Sequence, residues 1–292
     1  MFGNITTINS NFSAMEALYN LKQTNGKMGL HQTRLSTGKR INTAEDDAAG
    51  YHIAKHLESR TRGLSQALDN VSTAKNVLNI AEGGYQSQMD ILQQIKENLT
   101  QAADGALSED QRGAIGDRIN SLLEEFDEIN TQTKYNGFQL FADDSSDREM
   151  TFQVGEETAD TFAVTFDNSG REDVGESTTA VNLDSIVGGT ASDWATLDIG
   201  EANGGIDTLE TAIDSLSATI QRMGDYQARL TSKEESLSIG VANTEASRSR
   251  IEDADFAKEQ MEMVKLQILQ QTGVSAFSQA NSAPQVVLSL FK

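Results

Sequence analysis

The sequence predicts a mainly α protein: an elongated, out-and-back helical bundle or coiled coil of its N- and C-terminal segments, with a small β-hairpin region in the middle. Three observations carry that prediction. Apolar residues recur in alternating 3-4 spacing over long stretches of both halves, which is the coiled-coil signature. The 292 residues contain one proline, Pro284, and proline is the residue that ends or kinks helices. The hydrophobic period falls to two only between about 150 and 166.

The first forty residues carry a thin stripe of Ile5, Ile8, Phe12, Met15, Leu18, Met28 and Leu35, broken by Asn, Thr and Gly. Such a stripe is too sparse to hold a helix without packing partners. From Val71 the spacing is regular through Ala74, Leu78, Ala81, Tyr85, Leu92, Ile95, Leu99, Ala102 and Ala106, with Gln88 as a polar lapse. At 1.5 Å per residue that helix is on the order of 50 Å long. Asp104-Gly105 offers a stop and Ser108 a new N-cap. A second helix follows, spaced by Ile115, Ile119, Leu122, Phe126 and Ile129.

Tyr135-Asn136-Gly137-Phe138 reads as a tight turn, because Asn-Gly tolerates positive φ. Met150–Val154 and Phe162–Phe166 alternate apolar and polar residues and predict the hairpin. Gly, Ser, Thr and Asp from Asp167 to about Asn203 predict exposed irregular structure or short strands. Helix returns near Gly205 through Leu209, Ile213, Leu216, Ile220, Met223, Leu230, Leu237 and Val241, with Gln227 and Glu234 as lapses. It weakens through Ile251 and Phe256, resumes with Met261, Val264 and Ile268 before Gly273, and leaves a mixed tail ending in Val286–Phe291. This layout brings both ends to one pole.

Aromatic residues make up only 6% of the chain, so narrow helix-to-helix seams fit better than one thick core. The expected core-packing positions are Leu78, Leu92, Ile95, Leu99, Ile119, Phe126, Ile213, Ile220 and Leu230. The absence of cysteine excludes disulfides, thiol catalysis and Cys-ligated metals. The net charge is −21, and 17 acidic residues face only Arg148 and Arg171 between Leu140 and Glu210. That balance argues against nucleic acid and anionic membrane as partners, since both need clustered Lys and Arg. No apolar run approaches the roughly 18 residues of a membrane span, so no membrane insertion is expected. The opening Met1-Phe2-Gly3-Asn4 lacks a signal-peptide pattern.

No catalytic group stands out, and the chain is read as no enzyme, without cofactor or metal. His52 and His56 are one helical turn apart, but Ile53 stands where the helical metalloprotease pattern requires Glu. Surface or seam histidines are the plainer reading. Ser36-Thr37-Gly38-Lys39-Arg40 lacks two of the defining residues of a phosphate loop: Thr33 replaces Gly and Arg40 replaces Ser or Thr. Lys39-Arg40 is better read as a salt-bridge element in a turn between helices. The glycosylation sequons at Asn4, Asn11, Asn70 and Asn98 fall in helices or seams, where a glycan is unwelcome.

Several blocks occur in a fixed order: Gln32–Asn42, Asp46–Gly50, Ser59–Leu64 and Ala81–Gly84 near the start, then Ser247–Asp255, Gln267–Gln271, Gln279–Asn281, Pro284-Gln285 and Val287–Leu290. In this arrangement the chain resembles the bacterial flagellins over roughly 1–110 and 205–292. The resemblance implies a terminal coiled-coil domain, 1–42 and 255–292, lining the inner tube of a hollow filament. It implies a long-helix core domain, 43–169 and 205–254, with the hairpin near 150–166, and a short exposed variable region, 170–204. Self-association is then expected of Ile5, Ile8, Phe12, Met15, Leu18, Arg34, Leu35, Met261, Val264, Ile268, Val287, Leu288 and Leu290.

The function so implied is a structural subunit that polymerises into the flagellar filament for swimming motility. It is exported unfolded through the flagellar secretion channel and located outside the cell. The implied partners are the chain itself in a helical homopolymer, a flagellar export chaperone, and cap and hook-junction proteins. The alternative is the hook-filament junction protein, whose ends are similar. The sequence departs from the family at Gln94, Asn98 and Ala228; the first two lie on the face that the family's innate immune receptor uses, so that recognition is not carried over.

Overall fold

The computed structural model describes residues 11–141, 148–171, 173–175, 181–184, 197 and 199–289. Five helices dominate: α1 (Phe12–Thr37), α2 (Ala48–Ala102), α3 (Glu109–Gln132), α4 (Ile199–Glu252) and α5 (Phe256–Ser289). Three antiparallel strand pairs lie between α3 and α4: β1 (Lys134–Tyr135) with β2 (Phe138–Gln139), β3 (Arg148–Gln153) with β4 (Thr161–Phe166), and β5 (Asn168–Gly170) with β6 (Asp173–Gly175). The chain divides into two compact units, 1–61 with 242–292 and 62–241. Both divisions fall inside helices, in α2 and α4.

The larger unit is built on one heptad seam. Leu64, Ala67, Val71, Ala74, Leu78, Ala81, Tyr85, Gln88, Leu92, Ile95, Leu99 and Ala102 are all buried on α2, alternating three and four residues apart without a break. On α4 the buried positions are Ala202, Leu209, Ala212, Leu216, Thr219, Met223, Leu230 and Leu237, in the same rhythm. The two helices run antiparallel. Lys75 pairs with Glu234 at 2.7 Å, Gln227 donates to Glu82 at 2.7 Å, and Lys96 pairs with Glu210 at 2.8 Å. The polar lapses Gln227 and Glu234 are therefore the flanks of the seam, where ion pairs and amides face across it.

Ser108 caps α3 with a capping box: its hydroxyl accepts from the Gln111 backbone at 3.4 Å, and the Gln111 side chain accepts from the Ser108 N–H at 3.0 Å. On α3 the fully buried leucine is Leu123, while Leu122 is half-buried. Ile115 and Ile129 are half-buried as well, and the buried positions beside them are Gly116 and Asn130; the seam therefore runs one residue later than expected at three of the five positions and keeps its three-four alternation from Gly116 to Asn130. The β1–β2 turn has Asn136 at φ 50° and Gly137 at φ 83°, as expected of Asn-Gly.

In the β3–β4 hairpin Met150 pairs with Val164 and Phe152 with Phe162. Val164 and Phe166 are buried against the α2 seam. Phe162 packs edge-on to Tyr226 at 5.8 Å and lies under the Arg229 guanidinium at 4.7 Å. The Asn70 amide donates to the Gln153 carbonyl at 3.0 Å.

Three expectations need correction. Helix α4 begins at Ile199, ahead of Gly205. Helix α5 passes Gly273 and continues to Ser289, so what reads as a mixed tail is helical through residue 289. The polar stretch after the hairpin is not exposed at its start. Asp167, Asn168 and Ser169 are buried, because each has partners that replace water. Most of the expected variable region, 170–204, lies outside the described residues.

Candidate self-assembly surface

The smaller unit pairs α1 with α5, antiparallel. Asn11 caps α1 by accepting from the Ala14 N–H at 3.1 Å, and its amide donates to the Ala280 carbonyl at 2.7 Å. Further along, the Gln270 amide donates to Asn25 at 2.9 Å. A Cβ at Gly273 would lie 3.4 Å from Leu21 Cδ1, so a glycine here lets the helices approach closely. The inward face of α1 runs through Ala14, Ala17, Leu21, Thr24, Met28, His31 and Leu35, a clean heptad run. Ala14 is its one fully buried residue, and Leu21, Met28, His31 and Leu35 are half-buried along it.

Two buried carboxylates close the far end of this pair. Glu259 on α5 meets the His31 Nδ1 and lies 3.7 Å from the Arg34 guanidinium. Glu252 accepts from Lys39 Nζ at 2.6 Å, and its backbone carbonyl accepts from the Arg40 N–H, also at 2.6 Å. Gly38 ends α1 in the left-handed region at φ 72°, and its carbonyl accepts from the Ala254 N–H at 2.9 Å. The Lys39-Arg40 element thus sits at the C-terminus of a helix. A phosphate site needs the opposite end.

The following turn is held by Asp46, whose carboxylate accepts from the backbone N–H groups of Asn42 and Thr43, each at 3.0 Å. Those bonds, Thr43's first, hold its carboxyl below the ordinary 3.8. Asp47 accepts from the Gly50 N–H at 3.0 Å at the start of α2. Lys55 is raised by its 2.8 Å bond to Glu58. His52 and His56 are exposed, and among the described residues no three His, Asp or Glu side chains converge as for a metal ion.

The outward faces differ in kind. Phe12, Met15, Leu18 and Tyr19 are exposed on α1, and Phe256, Met261, Val264, Ile268, Leu269 and Val274 on α5. Beside them an open groove of about 440 Å³ is lined by Ser13, Ala17, Leu21, Leu269, Gly273 and Ala276, among others. Large apolar side chains gathered in this way on the outside of paired helices make a candidate interaction surface. Of the positions expected to self-associate, Phe12, Met15, Leu18, Met261, Val264 and Ile268 lie on these ridges, while Arg34 and Leu35 are half-buried. Ile5, Ile8 and Leu290, and the side chains of Val287 and Leu288, lie outside what is described. Tyr19, Phe256, Leu269 and Val274 belong to the ridges and were missed, although Tyr19 follows Phe12 and Met15 at heptad spacing.

Of the expected core positions, Leu78, Leu92, Ile95, Leu99, Ile119, Phe126 and Leu230 are fully buried, and Ile213 and Ile220 pack half-buried against them. A polar knot in the same unit was not foreseen. Buried Asp167 accepts from Thr219 at 2.5 Å and pairs with Arg222; its carbonyl accepts from the Tyr85 hydroxyl at 3.0 Å. The Gln88 amide donates to the Ser169 carbonyl at 3.0 Å and the Phe126 carbonyl at 3.3 Å. The only sequence signal was Gln88 itself, a polar residue in an otherwise apolar seam.

Comparison with known proteins gives a consistent picture. The family profile described as the bacterial flagellin N-terminal helical region matches residues 8–146, and the C-terminal helical region matches 206–291. Flagellin FlaB1 of Treponema pallidum (strain Nichols) is 34% identical over 98% of this chain and 99% of its own length. The flagellar filament 33 kDa core protein of Treponema phagedenis is 33% identical over the same shares. Among solved structures, a candidate flagellar hook-associated protein from Vibrio parahaemolyticus aligns with a TM-score of 0.61 at 13% identity, over 71% of this chain and all of that one; this likeness speaks to the fold alone.

Proposed function

The chain belongs to the bacterial flagellin family, whose members are structural filament subunits and not enzymes, and we propose that it assembles through the outward ridges of α1 and α5. The observation that carries this reading is the row of exposed large apolar side chains on the outward faces of α1 and α5. Among the described residues Ala14 and Leu266 are the apolar side chains buried in the α1–α5 pair. Leu21, Met28 and Leu35 are half-buried on the inner face, whereas Phe12, Met15, Phe256, Met261 and Ile268 are exposed, where another chain can cover them.

On this reading residues 1–42 and 255–292 form the inner layer of the filament. Residues 43–169 and 205–254 form the layer around it, and 170–204 faces solvent. Burial of the ridges between copies drives assembly, and ordering of the ends is met only in the polymer. The filament stands outside the cell and transmits torque for swimming. The chain reaches it unfolded through the flagellar secretion channel, helped by an export chaperone and by cap and hook-junction proteins. Lack of cysteine and a single proline suit such passage, since neither disulfides nor many slow isomerisations delay refolding.

The test replaces Val264 and Ile268 by Asp in the full chain. Seeded filament growth, followed by light scattering and electron microscopy, is expected to stop. The cooperative melting of the 62–241 unit should be unchanged. Filament growth at the wild-type rate would sink the assignment of this face.

A further inference from the structure

We propose that Met15 and Met261 are two oxidation sites, one on each assembly ridge: peroxide converts their thioethers to sulfoxides in the unassembled chain and thereby blocks self-association. The inference rests on the reading that the α1 and α5 ridges are assembly faces. The chain has eight methionines, and they are not equivalent. Met15 and Met261 are 64% and 67% exposed. Met223 is fully buried, and Met28, Met89, Met150 and Met263 are half-buried; Met1 lies outside the described residues.

The two exposed sulfurs stand at opposite ends of the antiparallel pair, Met15 close to Asn11, which bonds Ala280, and Met261 close to Glu259, which meets His31. Met15 stands between Phe12 and Tyr19, three residues after one and four before the other, on one helix face. Met261 shares a face with Val264 and Ile268 by the same spacing. Each is the sulfur of an apolar ridge, and neither fills a cavity within its own chain. Oxidation there leaves the fold of the single chain intact and changes only the surface that it offers.

The chemistry is a two-electron oxygen transfer. A sulfur lone pair attacks one oxygen of hydrogen peroxide, the O–O bond breaks and an S–O bond forms. The other oxygen leaves as hydroxide and takes the proton of the transferred oxygen, giving water. Sulfur is oxidised and the peroxide oxygen reduced. The product is a polar, chiral group, whose oxygen loses its hydration without gaining a donor if it is buried in an apolar seam. Once copies have assembled, both sulfurs are covered, so the site acts before assembly and not after. A methionine sulfoxide reductase supplied with a thiol reductant reverses it.

The experiment treats full-length monomer and preformed filaments with hydrogen peroxide, maps sulfoxides by mass spectrometry and follows seeded assembly by light scattering. Met15 and Met261 are expected to oxidise first in the monomer. The critical concentration should rise at least about tenfold, in line with the cost of burying an unpaired polar group. Reductase should restore growth, and preformed filaments should be protected at both positions. The Met15→Leu/Met261→Leu variant should assemble equally before and after peroxide. The proposal is overturned if monomer carrying both sulfoxides assembles at the wild-type concentration, or if the double leucine variant is arrested by peroxide as the wild type is. An untreated Met15→Gln/Met261→Gln variant separates the two levels. Normal assembly of that variant overturns the underlying choice of faces; arrest of it, with oxidised wild type still assembling, overturns the oxidation site alone.

Discussion

At the scale of single residues, neighbouring glycines in α2 carry opposite expectations. A Cβ at Gly84 would lie 2.9 Å from the Phe141 ring and 2.8 Å from Thr133 Oγ1, and Phe141 is itself held against Tyr85 with centroids 4.3 Å apart. Gly84→Ala gains helix propensity worth up to about 1 kcal/mol but overpacks a core at a cost of about 1–3 kcal/mol. The net expectation is a destabilised unit. At Gly83 nothing lies within 4 Å, so Gly83→Ala should stabilise by about 0.5–1 kcal/mol. Urea denaturation of both variants decides the matter, and equal shifts would show that the Phe141 contact does not bind.

Asp46 makes a prediction in pH. Its folded value lies below the ordinary 3.8, so its contribution is complete above that value and is lost as pH falls through the lower folded one. On acidification the 42–46 turn should therefore loosen with a midpoint below 3.8. The amide shifts of Asn42 and Thr43 would report it, and Asp46→Asn should remove that transition. The Asp46-Asp47 pair was visible in the sequence as part of a block, but which backbone groups it holds was not, since a sequence names acceptors without naming the donors that reach them.

At the scale of elements, long helices and hairpins were legible because their signals are repetitive. The positions from Val71 to Ala102 on α2 share one period, and the alternation in 150–154 and 162–166 marks a hairpin, whose register, Met150 opposite Val164, comes from the structure. The Asn-Gly turn and the Ser108 cap were legible because each needs a particular residue at one place. What failed was the inference from polarity to exposure. Asp167, Thr219 and Gln88 are buried because α2, α3, α4 and the strand region meet there, and convergence of distant segments leaves no local pattern. Asp167 is buried and also accepts from Thr219, while Arg222 is one-third exposed, so losing the carboxylate costs less than the about 3–5 kcal/mol of a fully buried pair but more than the about 1 kcal/mol or less of an exposed one. Asp167→Ala should therefore lower the denaturation midpoint of the 62–241 unit more than Lys96→Ala, whose pair with Glu210 is solvent-exposed. Comparable effects would mean that the knot is incidental to holding the strands on the helices.

At the scale of the whole molecule the two units contrast in how much apolar surface secures their helices. In α1 one alanine is buried over 26 residues, and among the described side chains of α5 Leu266 is the buried apolar one. A buried leucine contributes about 2 kcal/mol, whereas ordering the backbone costs roughly 1–2 kcal/mol per residue before hydrogen bonds and packing offset it. The α1–α5 pair is then far closer to its melting point than the α2–α4 seam. In the dilute monomer, amides of residues 12–37 and 256–289 should exchange with solvent orders of magnitude faster than those of 64–102 and 202–241, and assembly should slow them to comparable rates. Deleting 1–40 or 255–292 should leave a soluble, helical chain that does not polymerise, as judged by circular dichroism and sedimentation. Slow exchange of α1 in the monomer would show that the pair is stable alone, and assembly would then have to be driven by docking of preformed helices. The thin N-terminal stripe in the sequence already held this distinction in outline. It showed too few large apolar residues for a self-sufficient helix, but only the structure separates those facing α5 from those left exposed.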